Sequence, residues 1–149
     1  MELNRHISRR LHEEHEATLA LWSRLEASLV SNKPDPALLR SAAAALAHEL
    51  EHHFAFEESE LFPRLAAAGE ADIGELLAEE HVAIREAGKR FIAIVKENPL
   101  DENLKPLGLE LAERLVSHVQ KEEMSLLPSL DDLLDDVADG ELTQMYAAA

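Results

Sequence analysis

The chain has 149 residues, of which 46% are hydrophobic, 30% charged and 4% aromatic, with 5 glycines, 6 prolines and no cysteine. That mixture suits one compact domain and excludes a disordered tail or a collagen-like fibre. Fourteen basic against thirty acidic side chains leave a formal charge of −16 with histidine neutral, which repels phosphate backbones and argues against nucleic acid as a partner.

Many Ala, Leu and Glu, with few β-branched and aromatic residues, predict an all-α fold. No apolar run approaches the ~20 residues of a spanning helix, and the opening stretch MELNRHISRRLHEEHE lacks the apolar centre of a signal peptide, so a cytoplasmic protein with no membrane partner is expected. Without cysteine there are no disulfides, thiolate nucleophiles or iron–sulfur clusters, and any metal must be held by the eight histidines and the carboxylates.

In chain order, the first helix is predicted over 3–31 and ends at the breaker cluster Asn32-Lys33-Pro34-Asp35-Pro36. A second runs over 36–65, with Asp35 as its cap and Pro36 at its first position, and stops near Pro63 and the glycines Gly69 and Gly74. A third covers 72–97 and ends at Asn98-Pro99. The fourth, over 102–127, has Asp101 as a candidate cap and Pro128 as its terminator, and a short acidic helix follows over 130–146. Four rods of about 28 residues, each roughly 40 Å long, joined by short connections, predict an antiparallel up-down-up-down four-helix bundle in a single domain over 1–149.

The chain also repeats itself. Residues 46–65, LAHELEHHFAFEESELFPRL, and residues 111–130, LAERLVSHVQKEEMSLLPSL, share nine of twenty positions, among them His53/His118, Glu57/Glu122, Glu58/Glu123 and Pro63/Pro128. Glu13-Glu14-His15 likewise matches Glu79-Glu80-His81. The pattern is a duplicated helical hairpin, about 1–66 and 67–130, with a tail over 131–149.

Each copy carries one His on its first helix and His-x-x-x-Glu on its second: His15, His53 and Glu57, then His81, His118 and Glu122. Residues four apart share a helix face, and here that face is the apolar seam. Leu46, Leu50, His53, Glu57 and Leu61 make one stripe, and Leu111, Leu115, His118, Glu122 and Leu126 the other. A single such spacing arises by chance, as His12 with Glu16 does, but His6, His12, His48 and His52 have no histidine counterpart in the other copy, whereas the four named histidines pair completely. Two buried carboxylates facing each other need a cation. Four imidazoles and two carboxylates suit a borderline first-row metal, iron best, with manganese and zinc less favoured. If both glutamates bridge, each of two ions keeps open positions for a small ligand.

These residues resemble the hemerythrin-like proteins of the HHE cation-binding family, through EEHE around His15, HFAFEESELFP from His53 to Pro63, EEHVAIR around His81 and HVQKEEMSLLP from His118 to Pro128. The resemblance implies a four-helix bundle holding a non-haem di-iron centre, with His15, His53, His81 and His118 as imidazole ligands and Glu57 and Glu122 as bridging carboxylates. In the oxygen-carrying members a further His follows the third-helix ligand by one turn, where this chain has Arg85, and Glu122 stands four rather than five residues after its His. Reversible oxygen carriage is therefore not expected. Relatives with four histidines are linked to repair of nitrosatively damaged iron centres, to sensing or to peroxide breakdown, and the repair type carries a Cys-bearing N-terminal extension that this sequence lacks. The expected ligand is oxygen, nitric oxide or hydrogen peroxide; the alternatives are iron storage or sensing without turnover, and a metal-free acidic interaction module.

Glu58 and Glu123, which also repeat, are candidates for orienting the ligand histidines, with simple solvation as the alternative. Trp22, which aligns with Gly88, is assigned to packing, a large residue set against a small one in a pseudo-symmetric core. The acidic tail, with Leu130, Leu133, Leu134 and Val137 on one side, covers the end of the bundle or binds a protein partner.

Overall fold

The protein is described here by a computed structural model covering residues 2–31 and 33–148, so Asn32 of the first breaker cluster lies outside the described residues. It is all-helical. Helix α1 spans His6–Val30. Helix α2 covers 36–67 and is interrupted by two π-helical turns, Glu49–His53 and Glu57–Leu61. Helix α3 spans Ala71–Glu97. Helix α4 covers 104–133 with one π turn at Glu122–Leu126, and α5 spans Asp136–Ala148.

Local chemistry accounts for most boundaries. Asp35 accepts the Ala37 N–H at 3.0 Å with Pro36 at the first helical position, so α2 starts where the sequence places it. It ends at Ala67 and is closed off by Gly69, whose φ of +85° is open to glycine at no steric cost, while the Glu70 N–H reaches back to the Leu65 carbonyl at 2.8 Å. Asp101 caps the turn before α4 by accepting the Asn103 N–H at 2.8 Å, and the helix begins at Leu104.

Pro63 and Pro128 do not terminate their helices, which continue to Ala67 and Leu133. Each follows a π turn by one residue, where the Phe62 N–H bonds the Glu57 carbonyl and the Leu127 N–H bonds that of Glu122, five residues back. The wider turn moves aside the carbonyl that a proline ring would strike in a regular helix.

The four long helices enclose two apolar clusters. Trp22, Leu25, Leu29, Leu46, Phe91 and Leu111 belong to one, and Ile7, Leu11, Leu61, Leu65, Leu126 and Leu130 to the other. Between them lies a layer of buried polar residues: His15, His53, Glu57, His81, His118 and Glu122 are each at most 1% exposed. Trp22 packs on Phe91, with ring centroids 5.5 Å apart. The expected match of Trp22 to Gly88 is corrected here: Leu46 and Leu50 occupy the space beside Gly88, since both reach across from α2.

The tail folds back over the end of the bundle. Asp131 accepts the N–H groups of Asn4 and Arg5 at 2.9 and 2.8 Å, and Asp139 accepts those of His6 and Ile7, both at 2.9 Å. No side chain adjacent to α1 caps it, so these distant carboxylates satisfy its free N–H groups at the positive end of its dipole. The apolar side drawn from the sequence is corrected: Leu130 and Leu134 are buried, but Leu133 and Val137 are exposed, and α5 instead buries Leu142, Tyr146 and Asp139. The break at Leu134, in extended conformation, turns the face of the last helix by more than the periodicity of a continuous one allows.

Candidate metal centre

The polar layer forms at the widest irregularities of the helices. The turns at Glu49–His53, Glu57–Leu61 and Glu122–Leu126 contain or begin at His53, Glu57 and Glu122. Such wide turns re-aim neighbouring side chains and concentrate at functional sites. Here they let consecutive glutamates serve one layer, Glu57 and Glu122 from inside, Glu58 and Glu123 from its outer edge.

All six residues expected from the sequence meet. They make two groups that share both glutamates, His15, His53, Glu57 and Glu122, and Glu57, His81, His118 and Glu122, with potential ligand atoms in each within 4.8 Å of one another. Toward the first pair of histidines Glu122 presents Oε1, 2.8 Å from His15 Nε2, and Glu57 presents Oε2, 3.0 Å from His53 Nε2. Toward the second pair Glu57 presents Oε1, 3.1 Å from His81 Nε2, and Glu122 presents Oε2, 3.1 Å from His118 Nε2. Each carboxylate therefore spans both halves.

The outer ring nitrogens fix how the imidazoles are protonated. His15 Nδ1 faces Glu123 Oε2, His81 Nδ1 faces Glu58 Oε2 and His118 Nδ1 faces Glu80 Oε1, each at 2.8 Å. His53 Nδ1 lies 3.7 Å from both Glu14 and Glu49 and 3.4 Å from the Tyr146 hydroxyl, which donates to Glu14 Oε1 at 2.6 Å. An Nδ1–H donated to a carboxylate leaves the lone pair on Nε2, so three lone pairs are directed inward, those of His15, His81 and His118. His81 Nε2 and His118 Nε2 are only 3.1 Å apart, and Glu57 Oε1 and Glu122 Oε2 are buried without a hydrogen-bond partner. Facing acceptors of this kind fit a shared cation, or protons in its place.

With protons in that place, burial alone would depress the imidazoles, but the carboxylates outweigh it. His15 is raised to about 9 through Glu122 and Glu123, and His81 to about 9 through Glu122, Glu57 and Glu58. His53 and His118 are raised for the same reason. Burial works against the Glu122 carboxylate, yet four imidazoles hold it well below the usual carboxylate range.

The glutamates Glu58 and Glu123 thus contact ligand-candidate histidines rather than solvent alone. Glu14, Glu49, Glu80 and Tyr146 were missed. For Glu14 and Glu80 the signal was present, since both immediately precede a paired histidine in the repeat; each reaches the histidine of the neighbouring helix instead of its own. Tyr146 carries no signal because its place depends on how the tail folds back. Arg85, in place of a further histidine, makes a two-pronged pair with Glu58, Nη1 at 2.5 Å and Nη2 at 2.8 Å, and lies over the Phe54 ring. His12, set aside as an accidental spacing, contacts Glu16 at 3.1 Å and also hydrogen-bonds Glu123. His48 and His52 lie outside the layer, with His52 stacked on Tyr146.

Residues 6–130 match the family described as the hemerythrin HHE cation binding domain, and the chain belongs to that family. No curated protein and no solved structure was found to match it. Membership of a cation-binding family and the buried His/Glu groups together define a metal-binding helical bundle. No helix among the described residues is long and apolar enough to cross a membrane.

Proposed function

We propose that the chain is a non-haem di-iron protein that binds or reacts with oxygen, nitric oxide or hydrogen peroxide, in sensing, detoxification or repair of iron centres. The observation that supports it most is the sharing of the two buried glutamates, each with one oxygen toward each pair of histidines. In this reading His15 and His53 hold one ion and His81 and His118 the other, with Glu57 and Glu122 bridging. The four long helices run as an antiparallel up-down-up-down bundle, a duplicated hairpin that makes one domain with its tail.

Four protein donors per ion leave coordination positions for a small ligand, to which the iron supplies redox and Lewis-acid chemistry when bound. The chain's own groups do the rest. The apolar clusters on either side of the layer exclude bulk water. Glu58, Glu80 and Glu123 hold the imidazole Nδ1 protons and so keep Nε2 directed inward. An open cleft of about 440 Å³ between α3 and α4, lined by Glu80, Ile84, Arg114 and Lys121, reaches Glu80, the carboxylate that faces His118 Nδ1. A second, of about 430 Å³, is lined by His12 and Glu123 beside His15.

The test is reconstitution of metal-free protein with iron, followed by elemental analysis, an optical spectrum and rapid mixing with peroxide or nitric oxide. Close to two irons per chain, a near-ultraviolet charge-transfer band and a fast spectral change are expected. Iron below half an equivalent contradicts the metal reading, and a full complement that reacts with neither reagent nor oxygen contradicts the reactive one.

A further inference from the structure

The two halves of the centre are alike in their inner residues and unlike in what stands behind them. Behind His81 and His118 each carboxylate is matched by a permanent cation: Glu58 by the two-pronged Arg85, Glu80 by Lys121. Behind His15 and His53 stand three carboxylates, Glu123, Glu14 and Glu49. Their partners among the described residues are the His12 imidazole on Glu123, the neutral Tyr146 hydroxyl on Glu14, and one cation, Arg10, whose Nε lies 3.3 Å from Glu14 Oε2 on a largely exposed side chain. Glu49 is buried and has no cation beside it among the described residues. Burial raises Glu49 toward its neutral form, so the excess behind the first pair is the negative charge of Glu123, whose partner His12 is not a permanent cation, and none is in excess behind the second.

We propose that this outer charge makes the halves unequal as metal sites, with His15 and His53 the tighter and more electron-donating pair, filled first, and His81 and His118 the looser pair. The inference rests on the di-metal reading above. A carboxylate free of a permanent cation leaves more electron density on the imidazole that donates to it, and it also attracts the ion directly. An arginine or lysine on the carboxylate's other oxygen withdraws that charge from the ligand. At an effective dielectric near 20, one uncompensated charge within about 8 Å changes a divalent ion's binding constant by more than tenfold. Arg85 therefore has a positioning and tuning role: it weakens the donor histidine behind which it stands, by way of Glu58.

The test uses cobalt(II), whose visible bands report coordination, added to metal-free full-length protein. His118→Ala keeps the first pair and His53→Ala the second. His118→Ala is expected to bind one cobalt at least about tenfold more tightly than His53→Ala. Adding Arg85→Met and Lys121→Met to His53→Ala is expected to tighten its cobalt by about tenfold, the opposite of what loss of merely structural contacts would do. In wild type at one equivalent of cobalt, the imidazole N–H proton signals shifted by the metal should be those of His15 and His53, a readout that stands even if a variant fails to fold. Equal affinities in the two folded variants, or first occupancy at His81 and His118, overturns the inference while leaving a metal centre in place. No cobalt bound by wild type overturns both.

Discussion

Without metal, the centre should make the protein's stability fall as the solution becomes alkaline, and the size of the effect follows from the imidazoles. His15 and His81 are raised to about 9 in the folded chain from an ordinary 6.5. A raised folded value stabilises the native state fully below pH 6.5, and that stability disappears as pH rises through 9. A shift of this size is worth about 3 kcal/mol for either group alone. The two share Glu122 as a partner, so their effects do not simply add, and a loss of about 3–5 kcal/mol is expected from this pair. In metal-loaded protein the cations replace those protons, and stability should vary little over the same range; below pH 9 metal uptake should release protons. Denaturant unfolding of chelator-stripped and iron-loaded protein at pH 6.5 and 9.5 measures both. A stripped protein whose stability is flat or rises between these values refutes the proposed balance of imidazolium and carboxylate.

His53→Ala and His118→Ala should each abolish tight binding of one of the two ions, whereas His48→Ala and His52→Ala should leave the metal content of purified protein unchanged. Asp139→Ala removes the acceptor of the His6 and Ile7 N–H groups and should cost about 1–2 kcal/mol, seen as a fall of several degrees in the thermal melt. Gly108→Ala places a methyl group 2.6 Å from Leu29 Cδ1, so Leu29 must shift, and a loss of about 1–2 kcal/mol with unchanged metal content is expected from equilibrium unfolding.

Much of this was legible in the sequence for one physical reason. The duplication presents the inner residues twice at the same helical spacing, and helical spacing determines which side chains share a face. His53/Glu57 and His118/Glu122 could be placed that way without coordinates. Wide turns were not legible: Pro63 and Pro128 look like terminators because nothing local in ELFP or SLLP reveals that the preceding carbonyl has moved. Contacts between helices were lost to the same cause. Glu80 is adjacent to His81 in the chain yet bonds His118, and Tyr146 reaches Glu14 across the full length of the protein. The tail was misread by face, because Leu134 breaks the period on which its apolar side was drawn.

The central claim is that two ions sit between shared glutamates, and the most direct measurement is the anomalous diffraction of iron-loaded crystals collected at the iron edge. The account predicts two peaks about 3.5–4 Å apart, the spacing usual for paired metals, one beside His15 and His53 and one beside His81 and His118, with Glu57 and Glu122 each contacting both. A single peak in the layer, or peaks only at surface histidines such as His48 and His52, would contradict it.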